Sequence, residues 1–222
     1  MDNKIEVVFF DFGGVLAEEG FFQGLGVIAQ KHGLDDQAFF QTVVEEIYSG
    51  GYVTGRATEA EFWEALRRST GITGKDQELR GELLERFVVR PEMLALVEEC
   101  RNRGKRTAIL SDQTNWLDEL DGKYGFSQHF EKVFNSFHEG MSKREHKFFH
   151  HVLDAMNVAA HRAAFIDDSR AHVGRAKEVG LKAVLCEDLD DMARDLVRIC
   201  PSLTGFLARH WPKGLAKAGQ MD

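Results

Sequence analysis

Residues 5–16 read IEVVFFDFGGVL, and their reading decides the fold. Residues 5–10 form a short run of β-branched and aromatic side chains, with the turn residues Gly13 and Gly14 just after it. That pattern predicts a buried strand opening into a loop. Four more segments of the same kind lie further along: RTAIL (106–110), the centre of EKVFNS (132–134), AAFI (163–166) and KAVL (182–185). Helical patterns separate them. One covers 91–103, with Pro91 in its first turn and Gly104 as a stop; another covers 145–156; the last covers 169–179 and is closed by Gly180. Strands alternating with helices predict βαβ units. The expected fold is α/β, a Rossmann-like parallel β-sheet core flanked by helices on both faces.

Residues 17–89 behave differently, since they hold no convincing strand. Their periodic pieces (22–31, 37–48, 59–69 and 77–87) predict four helices joined by Gly-rich turns. A small α-helical cap domain inserted after the first strand follows, so the expected division is core at 1–16 and 90–222 and cap at 17–89, with a hinge at each end of the insert. Thr58 and Glu61 fit a capping box in TEAE. The tail beyond Pro201 carries a weak apolar pattern and then polar, Gly-containing residues, which predicts a mobile end.

Composition narrows the partners. The chain has 222 residues, 43% hydrophobic and 29% charged, as an ordinary globular protein does. Its net charge of −8, from 36 acidic against 28 basic residues, repels polyphosphate backbones and anionic lipid. Nucleic acid and membrane are therefore poor partners, and nothing in the composition sets the oligomeric state. Cys100, Cys186 and Cys200 are an odd number without CxxC spacing, which predicts buried reduced thiols and no disulfide framework or zinc site. His146 and His150 are spaced i, i+4 on a predicted helix, but no third metal ligand is nearby. The apolar run at the N-terminus is broken by Asp11, too early for a signal segment or a span, so the expected location is cytoplasmic.

Ligands of open parallel sheets bind beyond the carboxyl ends of the strands. Here the first strand ends in Asp11, the second in Ser111 and Asp112, and the fourth in Asp167 and Asp168, while Lys143 lies in the loop after the third. Carboxylates converging on one edge repel one another by about 4 kcal/mol per pair at ~4 Å and an effective dielectric near 20. A hard divalent cation such as Mg²⁺ suits such an oxygen-rich set. Lys143 and the backbone N–H groups of the Phe12 to Gly14 turn are then left for an anion.

These residues resemble a known family. FFDFGGVL, AILSDQTN, GMSKREHKFF and AAFIDDSRAHVGRAKEVG are similar, in order and spacing, to the four motifs of the haloacid dehalogenase-like (HAD) hydrolase superfamily. The nearer resemblance is to its helical-cap subfamily, close to the epoxide-hydrolase N-terminal and glucose-1-phosphatase-like branch. The resemblance implies that Asp11 is a nucleophile forming an aspartyl-phosphate and that Lys143 neutralises the phosphoryl group. It implies that Ser111 and the N–H of Asp112, with the Phe12–Gly13 backbone, hold phosphate. It further implies that Asp11, the Gly13 carbonyl, Asp167 and Asp168 hold Mg²⁺. The implied activity is a Mg²⁺-dependent phosphatase of a small phosphorylated metabolite.

Three departures stand out. Where the family usually has a second Asp two residues after the nucleophile, this chain has Gly13, which removes an acid/base group whose help is typically worth about 10²- to 10⁴-fold. Glu18 and Glu19 are the nearest replacements. Asp112 stands where Asn is common, and its carboxylate repels phosphate unless turned away. His172 stands four after Asp168 where Asp or Asn is usual, and when protonated it can pair with Asp167 or Asp168. Two other readings remain open at this point: a metal-free 2-haloacid dehalogenase, whose halide leaves without an acid, and a non-catalytic binding protein of the same fold.

Overall fold

The computed structural model describes residues 4–218. Five strands, β1 (Val7–Phe10), β2 (Arg106–Ser111), β3 (Lys132–Asn135), β4 (Ala163–Asp167) and β5 (Lys182–Leu185), form one all-parallel sheet in the order β3-β2-β1-β4-β5. The first strand is central because it is buried on both faces. Val7 and Phe9 point into one apolar cluster with Phe134, Phe149 and Phe165, while Val8 and Phe10 point into the other. A strand with no solvated face must read as an unbroken apolar run, which is why IEVVFF lacks alternation.

Helices α1 (Gly20–His32), α2 (Asp36–Ser49), α3 (Glu59–Thr70) and α4 (Asp76–Leu84) follow β1 before the chain returns to the sheet. Their starts are written locally. Glu19 caps α1 by accepting from Phe22 N at 2.6 Å, and the Thr58–Glu61 box closes α3 with Glu61 Oε2 accepting from Thr58 N at 2.8 Å. Around the sheet lie α5 (Pro91–Asn102), α6 (Trp116–Tyr124), the single turn α7 (Ser136–Glu139), α8 (His146–Ala155), α9 (Arg170–Val179), α10 (Leu189–Ile199), α11 (Thr204–His210) and α12 (Pro212–Ala218).

Three features differ from the sequence expectation. Helix α6 and the helices after β5 were not anticipated, although α10 buries Met192, Ala193 and Leu196 on one face. The tail reads as helix up to Ala218, and the mobile end expected for it falls on residues 219–222, outside the described residues. The fourth inserted helix stops at Leu84 instead of reaching Phe87, because Phe87 leaves the helix to pack on Phe12 at a centroid distance of 5.9 Å.

The two connections between the insert and the sheet pair with each other. Glu18 N donates to Val88 O at 2.9 Å and Arg90 N to Leu16 O at 2.8 Å. The Arg90 guanidinium lies across both, donating to Gly14 O at 2.8 Å and to the two oxygens of Glu18 at 3.0 Å each. Beyond this crossing, the inserted helices rest on the sheet unit through aromatic contacts. Tyr52 meets Trp116 edge-on at 5.5 Å, and Trp63 stacks on Trp116 at 5.9 Å. Such pairs add about 0.5–1.5 kcal/mol each beyond their buried area.

Candidate active site

The ends of β1, β2 and β4 lie side by side, since Phe10 pairs with both Ile109 and Ile166. Asp11 and Asp167 directly follow that register and Ser111 stands two residues beyond Ile109, so all three lie at one edge of the sheet. Asp11, only 7% exposed, accepts at Oδ1 from Phe12 N at 2.7 Å and from Ser111 Oγ at 2.5 Å. The Lys143 ammonium, itself 1% exposed, sits 2.7 Å from Asp11 Oδ2 and 2.6 Å from Asp167 Oδ2. Asp167 is wholly buried, and its other oxygen accepts from Ser169 N at 2.7 Å and lies 3.3 Å from His172 Nδ1. These groups make a closed network in which each carboxylate is oriented by at least two donors.

Asp168 is different. It lines a cavity of about 580 Å³ together with Asp11, Gly13, Glu19, Ser111, Asp112 and His172, and it takes no hydrogen bond or ion pair among the described residues. Its position depends on Gly14, which has φ +73°; a Cβ there would lie 2.6 Å from the Asp168 carboxyl carbon and overlap its oxygen. Gly13 has no such strain, and a Cβ on it would meet the Phe87 ring at 3.3 Å.

Charge explains the ionisation pattern. Burial, then the neighbouring charges of Asp11 and Asp167, push the Asp168 carboxyl up to about 7. Burial likewise raises Asp11, against the pull of Lys143. Burial also acts on Asp167, but Lys143 and His172 outweigh it and hold that group well below the usual carboxylate range. Lys143 loses solvation by burial, and Asp11, Asp167 and Asp112 more than restore its charge.

The sequence-derived residues are thus mostly convergent, with two adjustments. Phe12 does not leave a free N–H for an anion, because that group donates to Asp11, and its side chain packs away from the cavity against Phe87 and Phe126. Asp167 and Asp168 do not act as a matched pair, since one is enclosed by donors and the other faces the cavity. Asp112 is indeed turned: its two oxygens accept from Lys143 N at 2.8 Å and from Tyr48 Oη at 2.9 Å. The two candidate replacements for the missing acid also separate. Glu18 is bound by Arg90, whereas Glu19 lines the cavity and is pushed up by burial. His146 pairs with Glu178 at 2.6 Å at the surface, and the three cysteines are free and buried.

Residues that local sequence did not reveal complete the cavity. From α2 come Phe40, Val44, Ile47 and Tyr48, at helical spacing on one face; Phe21, Val53 and Trp116 extend this wall. Arg144 and Arg175 also line it, and Arg144 stacks over the Tyr48 ring at 3.4 Å. A 40, 44, 47, 48 stripe could have been read as one helix face, but which object it faces could not.

An oxygen-rich donor set suits a hard cation. Asp11, Asp167 and His172 bring ligand atoms within 4.8 Å of one another, yet the Lys143 ammonium already lies between the two carboxylates. The unpaired and ionisation-resistant Asp168 beside Asp11 is the place where a divalent charge would relieve repulsion, so the residues fit Mg²⁺ there. Among the described residues, no helix is long and apolar enough to cross a membrane.

Known proteins resemble this chain in sequence or in fold. Drimenol cyclase drtB of Aspergillus calidoustus is 28% identical over 170 residues, which is 72% of this chain but 31% of that protein, so the chain spans about a third of its length. Sesquiterpene phosphatase astK of Aspergillus oryzae is 24% identical over 82% of this chain and 89% of its own. The crystal structure of a HAD family enzyme from Bacteroides thetaiotaomicron, in complex with magnesium and inorganic phosphate, superposes with a TM-score of 0.63 at 22% identity, covering 82% of this chain and 93% of that one. The family model for haloacid dehalogenase-like hydrolases matches residues 5–180, and the chain belongs to that family of hydrolases.

Proposed function

We propose that this hydrolase is a Mg²⁺-dependent phosphatase of a small phosphorylated molecule, working through an aspartyl-phosphate on Asp11. One observation carries the reading: a buried carboxylate oriented by Ser111, Phe12 N and Lys143 stands beside an unpaired carboxylate, Asp168, at the floor of a cavity. Phosphoryl transfer asks a protein mainly for alignment and charge neutralisation, and this floor supplies both. The phosphatase name of the Aspergillus oryzae relative, and the magnesium and phosphate bound to the Bacteroides enzyme, agree with it.

Asp11, the Gly13 carbonyl and Asp168 would hold the ion, with Asp167 behind them. When bound, it would neutralise charge between the nucleophile and a phosphate oxygen. Ser111 and the N–H of Asp112 would orient the transferring group, and Lys143 would balance its charge. Helices of residues 17–89 would act as a cap that excludes water. Glu19 is the cavity carboxyl placed to take a proton from the water that attacks the aspartyl-phosphate, while the acid that the second Asp would supply to the leaving group stays absent: burial raises the Glu19 carboxyl, which makes it a better proton acceptor than a surface Glu, and it carries no ion pair among the described residues.

The test is direct. Purified protein with Mg²⁺ should release phosphate from acetyl phosphate or an aryl phosphate, acid quenching should trap a phosphorylated Asp11, and Asp11→Asn should lower turnover by about 10³-fold or more. Absence of both phosphate release and phosphoenzyme would overturn the reading. Chloride release from a 2-haloacid in chelator would point instead to the dehalogenase.

A further inference from the structure

The cavity above Asp11 carries more positive charge than one transferring phosphoryl group uses. Lys143 is occupied by Asp11 and Asp167 on the floor. Arg144 and Arg175 line the same space, and neither makes an ion pair with any carboxylate among the described residues. Arg144 instead stacks on Tyr48, and Arg175 has a buried Nη1 without a hydrogen-bond partner. Among the other carboxylates of the cavity, Asp112 accepts from Tyr48 and Lys143, Glu19 caps α1, and Asp168, which pairs with neither arginine, is the one assigned above to Mg²⁺. An unpaired guanidinium in a partly buried wall is a site for an anion that the protein itself does not supply.

The opposite wall has the reverse character. Phe21, Phe40, Val44, Ile47, Val53 and Trp116 present carbon to the cavity, and Phe40 and Val44 remain only half-buried there. A sugar or nucleoside would leave hydroxyls unpaired against such a surface, whereas an alkyl or isoprenoid body would cover it.

The third observation is Gly13. Without an acid two residues after the nucleophile, the bond to phosphorus must break toward an oxygen that is already a good leaving group. The conjugate acid of an alkoxide is about as weak as water, whereas that of a phosphate monoester dianion titrates at about 6.

Resting on the phosphatase reading above, we propose that the substrate is the diphosphate ester of an apolar alcohol, cleaved at its phosphoanhydride bond. The Asp11 carboxylate attacks the terminal phosphorus. The bridging P–O bond breaks with its electron pair going to the oxygen of the inner phosphate, which departs as the alkyl monophosphate, held by Arg144 and Arg175. Water then attacks the aspartyl-phosphate, giving its proton to Glu19, and inorganic phosphate leaves with Asp11 restored. The sum is alkyl diphosphate plus water to alkyl monophosphate plus inorganic phosphate.

Decyl diphosphate, decyl monophosphate, adenosine diphosphate and acetyl phosphate, compared with Mg²⁺ present, test this. Decyl diphosphate should exceed decyl monophosphate in kcat/KM by about 100-fold, the scale of an absent general acid. It should exceed adenosine diphosphate, which has the same anhydride on a polar body, by about tenfold or more. R144Q and R175Q should each lower kcat/KM for decyl diphosphate about tenfold, and R175K should recover most of it. Thermal melting of each variant shows that it has folded. Equal turnover of the two decyl esters, or of decyl and adenosine diphosphates, overturns the inference, as does an unchanged preference in both glutamine variants. Acetyl phosphate hydrolysis without decyl diphosphate hydrolysis also overturns it and leaves the phosphatase reading standing. If acetyl phosphate is inert too, that reading fails and takes this one with it.

Discussion

The floor and the roof of the cavity are built by different rules. On the floor, Asp11, Ser111, Lys143 and Asp167 stand at adjacent strand ends, and their polar atoms are held at 2.5–2.7 Å by partners that are themselves buried. In the roof, α2 turns a stripe of half-covered apolar side chains to the cavity, and the polar contacts recorded between α2 and the floor run from Tyr48, to Asp112 and to the Arg144 guanidinium. Sheet register fixes the floor, whereas the inserted helices meet the sheet unit through aromatic contacts such as that of Trp63 on Trp116. The difference teaches that two kinds of surface meet here: a hydrogen-bonded polar floor suited to chemistry, and an apolar roof suited to selecting what reaches it.

The comparison breaks most severely at Lys143. Replacing it with Met leaves two buried carboxylates facing each other, which should lower stability by about 3–5 kcal/mol in denaturant unfolding, and part of that loss should return on adding Mg²⁺. A roof substitution such as Val44→Ala should cost far less, so similar losses at both sites would refute the contrast. Next is Gly14→Ala, where the new Cβ must displace Asp168. Calorimetry should then find Mg²⁺ binding weakened by about 10-fold or more, because a ligand 1 Å out of place loses coordination while the rest of the floor remains.

Glu19 sits where floor and roof meet, and it sharpens the contrast. Glu19→Gln should lower kcat by about 10²-fold in the native background but much less in a Gly13→Asp background, in which the usual acid/base group is restored. That restoration requires Phe87 to give way by a few tenths of an ångström at its 3.3 Å contact with the new Cβ. Additive losses in the double variant would remove Glu19 from the reaction.

The smallest effect belongs to the crossing between the two regions. The hydrogen bonds from Arg90 hold the Glu18 carboxyl below its usual value. A depressed folded value means that this pair contributes stability above the unfolded value and loses it as pH falls through the folded one. Glu18 exposes 46% of its side chain, so solvent screening limits the contribution to about 0.2–1 kcal/mol. Wild type and Glu18→Gln should differ by that amount at neutral pH and converge as pH falls below the depressed value of the folded Glu18 carboxyl, as urea midpoints would record.

Much of the floor was legible because each of its carboxylates ends an apolar run. Asp11, Ser111 and Asp167 could be found by asking what stands at the carboxyl end of each strand, a question that local pattern answers. Lys143 was legible less firmly, from its place in the loop after the third strand and from the family resemblance, since SKREHK reads equally well as a solvated basic run. The helices after β5 escaped because their apolar residues are few and confined to narrow faces, so the pattern was weak until the sheet edge gave them something to cover. Nothing local separates Glu18 from Glu19 or Asp167 from Asp168. Neighbours in sequence share composition, and their roles diverge only when Arg90, from the far side of the insert, and Lys143, from another loop, reach one member of each pair.

Sequence alone therefore determined the parallel sheet, the helical insertion and the acidic strand ends, because each rests on hydrophobic period and turn chemistry acting over a few residues. Tertiary structure alone decided which carboxylate remains unpaired, that Asp112 is turned by Tyr48, and that two arginines and an apolar helix face share one cavity. Those outcomes depend on contacts between residues far apart in the chain, such as the 64 positions between Tyr48 and Asp112, and no local pattern records which distant group will arrive.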